Sequence, residues 1–298
     1  MSNAPLRPDK SQLRAAFEQS AAHYDAVAML QRVVADRLLE RLGLLRMQPA
    51  TILDLGSGTG YCSAALAVHY PKARITALDL ASAMVQKSRS RFSRWSRLRR
   101  GHQFVCADAE ALPFADQSFD MLFSNLTLQW CGDLQTTFAE MKRVLRPGGV
   151  VLYTTLGPDT LRELRASWAA VDEGVHVNTF LDMHEVGDAM LRARLAEPVM
   201  DMEQLTITYE EALTLMRDLK TLGAHNVNPG RHHGLTGPQK LKAVIGAYEE
   251  FRGADGLLPA SYEVVYGHAW RAEKEGEVSP QPPGEFNFPL DQLRGNHE

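Results

Sequence analysis

The chain has 298 residues, 45% of them apolar and 23% charged, with a formal net charge of −4. These are ordinary values for a globular protein; they exclude a collagen-like or low-complexity chain, and no apolar run approaches the roughly 20 residues of a membrane-spanning helix. The charge balance also argues against a general nucleic-acid binder.

In chain order, Ser11 to about Ser20 is predicted as a short helix with Ser11 as a cap. A second helix is expected from about Val27 to Leu42. Leu30, Val33, Val34, Leu38 and Leu42 give it an apolar stripe at helical spacing, and Gly43 stops it. Residues 1–45 thus read as a helical flap over a ligand site. Tyr24 faces that site on this reading, with a packed core tyrosine as the alternative. Arg32 is in reach of a ligand carboxylate, with a solvated helix face as the alternative. A short apolar run, Ile52 to Leu55, then precedes three alternate glycines, Gly56, Gly58 and Gly60. A helix follows from Tyr61 to about His69. Strand, glycine turn and helix together form the entry to a nucleotide-type site in an open α/β sheet.

The alternation continues with a strand at Arg74–Leu78, a helix from Ser82 that buries Met84 and Val85, and a strand at His102–Cys106. Further strands are expected at Phe119–Ser124 and Gly149–Thr155, with a helix at Leu134–Val144 between them. Strands alternating with helices argue for a parallel sheet. Residues 157–198 read as a largely helical insertion, a lid on an acceptor site or a helix packed on the sheet flank. After it come a strand at Leu205–Tyr209, a helix at Glu210–Leu222, a loop at Ala224–Leu235 and a last helix at Thr236–Phe251. Tyr262–Trp270 alternates apolar and polar residues like an edge strand. The domain division is therefore flap at 1–45, sheet domain at 46–272 and a disordered tail at 273–298.

Three cysteines, Cys62, Cys106 and Cys131, form no C-x-x-C pair and fit reduced thiols. Met1–Lys10 has no apolar signal core, so a cytoplasmic protein is expected. Ten histidines make no H-x-x-x-H or H-E-x-x-H pattern, and no metal site is expected; His232 and His233 are adjacent and His225 is distant from both. Seven basic residues and no acids lie between Lys87 and Arg100. Without them the rest of the chain carries −11.

The identity of the ligand is read from acids. Asp54 stands two residues before the first glycine, where a carboxylate repels a pyrophosphate and attracts an ammonium group. Asp79, 21 residues beyond Gly58, is placed to hold both hydroxyls of a ribose. Asp108 follows the next strand and is placed to meet an adenine amino group. Three strand-end acids around one glycine turn fit S-adenosylmethionine better than a dinucleotide. The expected cofactor set is Tyr24, Arg32, Asp54, Gly56, Ser57, Gly58, Gly60, Asp79, Leu80, Met84, Asp108, Ala109 and Asn125.

This pattern, with L-P-F-A-D-Q-S-F-D at Leu112–Asp120 and L-R-P-G-G at Leu145–Gly149, resembles the class I methyltransferases over about Thr51–Thr155. The resemblance implies an α/β, Rossmann-like fold: a mostly parallel seven-stranded sheet with helices on both faces and a helical lid. Four further segments narrow it: F-E-Q-S-A-A-H-Y-D at Phe17–Asp25, L-Q-W-C-G-D-L at Leu128–Leu134, T-T-L-G-P-D-T-L-R-E-L at Thr154–Leu164 and L-K-T-L-G-A-H at Leu219–His225. Together they look like the malonyl-acyl carrier protein O-methyltransferases of biotin synthesis. That family implies methylation of the free malonyl carboxylate on an acidic carrier protein. No nucleic-acid or membrane partner is expected, and the reading of assembly is a monomer. The basic run and the acidic tail depart from the family pattern and leave the docking surface open.

A malonyl carboxylate is ionised at neutral pH and needs no general base. The acceptor site is then expected to hold an arginine that pairs with it, from Arg162, Arg165 or Arg231, with Tyr24, Gln129, Trp130 and Thr155 shaping the pocket. Two rivals stay open: a methyltransferase of another small carboxylate or a quinone precursor, and a hydroxylase or assembly factor that keeps the fold.

Overall fold

Asp9 opens the described part of the molecule: the computed structural model describes residues 9–224 and 237–273. Its carboxylate accepts from the Ser11 and Gln12 amides and so caps α1 (Lys10–Ser20), two residues before the expected cap. The predicted second helix is two pieces, α2 (Tyr24–Val27) and α3 (Met29–Glu40), broken at Ala28. The break lets α2 turn toward the sheet edge while α3 packs along its face. Val34, Leu38 and Leu42 are buried there, each contributing about 1.5–3 kcal/mol. Gly43 does not stop α3; it lies inside a 3-10 turn, Arg41–Leu44.

The sheet units follow as read: β1 (Thr51–Leu55), α4 (Tyr61–His69), β2 (Arg74–Asp79) and α5 (Ser82–Arg91). An unexpected helix, α6 (Arg94–Arg100), interrupts the basic run, capped by Ser93 and ended by Gly101 at φ +67°. Then come β3 (Gln103–Cys106), β4 (Phe119–Ser124), α7 (Leu134–Val144) and β5 (Leu145–Leu156). The second half holds α8 (Arg162–Ala169), α9 (Met183–Arg192), β6 (Ala196–Tyr209), α10 (Ala212–Thr221), α11 (Pro238–Tyr248) and β7 (Leu258–Trp270).

The strand order is β3-β2-β1-β4-β5-β7-β6. The first five strands are parallel; β7 runs antiparallel to β5, and β6 antiparallel to β7. This is the class I methyltransferase arrangement expected from the resemblance. It corrects two local expectations. The segment at Tyr262–Trp270 is no edge: β7 lies between two partners and is buried almost throughout. The edge is β6, whose 14 residues extend far beyond Leu205–Tyr209 and begin inside the span read as a lid.

Charges mark β6 as an edge. Arg37 of α3 pairs with Glu203, and Arg41 reaches Asp201 at 2.5 Å while its guanidinium lies 4.0 Å from the Tyr266 ring centre. The two larger apolar cores lie on opposite faces of the sheet, one under α3, α4 and α8, the other under α7 and α9. No helix among the described residues is long and apolar enough to cross a membrane.

Candidate active site

The reversal of strand order falls between β1 and β4, and ligands bind at the carboxyl edge of such a switch. Gly56, Gly58 and Gly60 there have φ of +71°, +52° and +86°, a region that only glycine enters readily. A Cβ on Gly60 would meet the Ser88 backbone Cα at 2.7 Å, and one on Gly56 would overlap Thr127. A Cβ on Gly58 would meet nothing within 4 Å. The turn is therefore packed at both ends and open in the middle. The Gly56 and Ser57 amides both donate to the Leu78 carbonyl at 2.8 Å, fixing the turn on β2.

A narrow cavity of about 90 Å³ adjoins the turn, lined by Gly56, Gly58, Asp79, Leu80, Met84, Asp108, Ala109 and Asn125 among others. Nine of the expected cofactor residues, Tyr24 included, thus come together. The Asp79 carboxylate accepts from the Gly58 amide at 2.8 Å and the Ala81 amide at 2.9 Å. Burial pushes it up to about 6 against those bonds. Asn125 ties the site to its neighbours: its amide donates to the Gln31 carbonyl of α3, and its oxygen accepts from Thr154.

Four expected cofactor residues sit off that wall, one of them Gly60, packed on Ser88. Asp54 lies beneath the turn, off the cavity wall, where the Ser63 hydroxyl of α4 donates to it. Burial pushes Asp54 up to about 7. Ser57 is buried with its hydroxyl oxygen unpartnered among the described residues, also off the wall. Arg32 points to the Asp25 carbonyl at 2.6 Å and is absent from both cavity walls.

The flap is where sequence reasoning fell short. Lys10, at the start of α1, bridges Asp108 at 2.8 Å and Glu110 at 3.0 Å. At the other end of α1, Glu18 accepts from the Ser82 and Ala83 amides and caps α5. α1 is thereby tied across the narrow cavity at both ends. At about 90 Å³ the cavity falls below the roughly 300 Å³ that encloses a drug-sized ligand, and α1 closes it on one side. Neither tie is visible in a pattern of apolar spacing, because both join residues far apart in the chain.

A second, larger cavity of about 830 Å³ lies alongside. Phe17, Tyr24, Leu126 and Trp130 line both. Phe17 and Trp130 meet edge to face with ring centres 5.6 Å apart. Leu126 holds φ +50°, fixed by its amide on the Thr154 hydroxyl, and a bulky residue in that region marks a constrained site. Of the expected acceptor residues, Tyr24, Gln129 and Trp130 line the large cavity. Thr155 is buried behind Gln129 at 3.4 Å, off the wall.

No expected arginine lines the large cavity among the described residues. Arg162 is exposed beside Glu163. Arg165 donates to the Pro158 and Thr160 carbonyls and braces its own loop. Arg231, with the neighbouring histidines, lies outside the described residues. The cavity-lining groups able to carry positive charge are instead His176 and, at the rim, Lys220. His176 stacks on Trp168 with ring centres 3.7 Å apart, and its ring nitrogen lies 2.6 Å from Asp172. Lys240 also pairs with Asp172 and, with other bonds, holds that carboxyl well below its usual range. The H-V-N stretch at His176 was the available signal, but it sits between two helices in a segment with no periodic pattern.

Among the described residues no three His, Cys, Asp or Glu side chains converge as a metal cluster would. The open centre of the glycine turn, with a carboxylate beside it, fits a nucleoside whose backbone contact is close and whose ribose can donate.

Comparisons with known proteins agree with this geometry. Residues 53–153 match the methyltransferase domain family. In fold, the chain is similar to the YcgJ protein of Bacillus subtilis (TM-score 0.54, 18% identity, 80% of this chain and 100% of that one). It is also similar to the [4+2]-cyclase SpnF (TM-score 0.56, 18% identity, 91% and 100%). At those identities the likeness speaks for the fold alone, and a cyclase on this fold shows that fold does not fix reaction. Sequence is more specific. The malonyl-[acyl-carrier protein] O-methyltransferase of Gallionella capsiferriformans is 52% identical over 265 residues, 88% of this chain and 91% of that one. That of Laribacter hongkongensis is 51% identical over 267 residues, 88% and 90%. The chain belongs to the malonyl-[acyl-carrier protein] O-methyltransferase family.

Proposed function

We propose that the chain uses S-adenosylmethionine to methylate the free carboxylate of a malonyl group carried on an acyl-carrier protein, an early step of biotin synthesis. The observation that carries this reading is the shared wall: a ribose-competent site and a larger cavity meet at Phe17, Tyr24, Leu126 and Trp130. The cofactor supplies a methyl group activated on a sulfonium. Asp79 holds the ribose hydroxyls, Gly58 lets the backbone approach, and Asp108 meets the adenine end once Lys10 yields. Asp54 contributes its field from below the turn.

The acceptor oxygen needs no base, so the protein's work is alignment and exclusion of water. Such alignment can supply roughly 7–11 kcal/mol. Trp130 and Phe17 keep the passage apolar, and Tyr24 and Gln129 shape it. Among the described residues, His176, held against Asp172, offers a hydrogen-bonding partner for the acceptor carboxylate. His176→Asn is therefore expected to raise KM for the acceptor about tenfold, the size of one charge-assisted hydrogen bond, and to leave cofactor affinity unchanged. Steady-state kinetics with calorimetry check this, and an unaltered KM rejects the role. Free cysteines and a cytoplasmic monomer remain part of the proposal.

The decisive assay is mass spectrometry of carrier protein after incubation. One methyl group is expected on malonyl-carrier protein and none on acetyl-carrier protein. Cofactor binding without modification of the malonyl form rejects the acceptor.

Asp79 also sets a pH dependence. Its folded pKa of about 6 exceeds the ordinary carboxylate value of about 4, so the site keeps a proton that the unfolded chain has released. Without cofactor, stability therefore falls as pH rises from about 4 through 6. Ribose hydroxyls donate best to an ionised carboxylate, so cofactor affinity should rise over the same window and level off above it. Calorimetric titrations at a series of pH values test the sign; affinity that falls as pH rises toward neutral contradicts it.

A further inference from the structure

The basic run takes no part in either cavity. α5 and α6 carry Lys87, Arg89, Arg91, Arg94, Arg97, Arg99 and Arg100. Arg91 alone is paired: it reaches Asp25 at 2.6 Å and donates to the Thr59 carbonyl at 2.7 Å. Among the described residues no carboxylate is close enough to pair with the other six cations. Exposed among them are Trp95, 69% accessible, and Leu98, 82% accessible. A depression of about 440 Å³ is lined by Arg89, Arg94, Arg97, Leu98, His102 and Phe104. Phe92 packs under it against His102 and Phe104.

A folded protein gains nothing from crowding six cations, unpaired among the described residues, on two successive helices, because like charges repel. An exposed tryptophan and leucine inside that field give the apolar anchors of an interface with a charged surround. The face also has a fixed relation to the site. Arg91 joins it to Asp25, and the next residue, Tyr24, lines both cavities.

We propose that the α5–α6 face is the docking surface for the acidic carrier protein that presents the acceptor; the inference rests on the reading given under Proposed function. Charge complementarity selects the occupant. The rest of the chain, at −11, repels a long polyanion such as nucleic acid, which needs an extended basic track and several stacking rings. A small acidic protein covers only the patch, its carboxylates meeting the arginines and an apolar side chain meeting Trp95 and Leu98.

The test is the triple variant R94E/R97E/R100E, assayed with malonyl-carrier protein and with malonyl-pantetheine, which carries the same thioester without the protein. The variant is expected to raise KM for malonyl-carrier protein at least about tenfold, as loss of steering and reversed charge demand. Turnover of malonyl-pantetheine should stay at the wild-type level, and the wild-type KM for the carrier should rise with salt. Unchanged kinetics on the carrier, or an equal loss on both substrates in a variant whose circular dichroism is native, overturns the proposal. If the wild type methylates neither thioester, the acceptor reading fails. Anisotropy of fluorescently labelled carrier protein then decides docking by itself: binding that the variant loses supports the surface, and equal or absent binding overturns it.

Discussion

Gly58→Val yields a folded protein that binds S-adenosylmethionine at least about a hundredfold more weakly, whereas Gly60→Val loses binding and much of its stability together. The difference lies in where each side chain would go. At Gly58 a Cβ meets no atom within 4 Å, and the residue lines the narrow cavity. A valine there takes space that the cofactor needs while touching nothing in the free protein. Its φ of +52° costs about 1–2 kcal/mol for an L residue, which a domain of this size tolerates. At Gly60 the Cβ would stand 2.7 Å from the Ser88 backbone, where no side chain can rotate away. The start of α4 must then separate from α5, and the amide–Leu78 contacts of the turn go with it. Calorimetry for affinity and thermal melts for stability separate the two outcomes. A Gly58→Val protein with wild-type affinity would falsify the placement of the cofactor.

The glycine turn was legible because its cause is local. Alternating glycines after a buried strand permit few conformations, and the acids Asp79 and Asp108 follow at strand ends set by the same alternation. β1, β2, β4, α4 and α7 were readable for that reason. The second half of the chain was less so, because its patterns are completed by distant partners. In β7, Glu263 gave the alternation of a solvent-facing edge, two residues after Ser261. Both are buried, since Glu163 accepts from Ser261 and Glu263 accepts from the Asp159 amide. In β6, Asp201 and Glu203 hid a strand whose charges are answered by Arg41 and Arg37. The placement of Arg162 and Arg165 away from the cavity was hidden similarly, while Arg231 lies outside the described residues. Charge type was visible in the sequence, but which arginines brace a loop and which face a cavity depends on the path of 157–182.

Glu163→Ala is expected to remove about 3 kcal/mol of stability. Glu163 stands on α8, is 4% exposed, and accepts from the Ser261 amide at 3.0 Å and the Ser261 hydroxyl at 2.5 Å. Truncation leaves both donors buried without a partner, and each unsatisfied group costs about 1–3 kcal/mol. The thermal midpoint should fall by roughly 6 °C or more in a chain of this length. The substitution also tests what the lid is. α8 supplies Leu164 and Trp168 to the acceptor cavity, yet Glu163 fastens it to β7, as Leu161, at φ +55°, does through its amide on the Ser261 carbonyl. A helix so fastened is expected to act as a wall of the site, and α1, held by the partly buried Lys10 and Glu18, as the movable cover. Hydrogen exchange should therefore show α8 protected to the level of β7 in the wild type and α1 opening far more readily. In Glu163→Ala the protection of α8 alone should drop toward that of α1. Equal protection of α1 and α8 in the wild type, or a melting temperature unmoved by the substitution, would show that the carboxylate is not what fixes this wall.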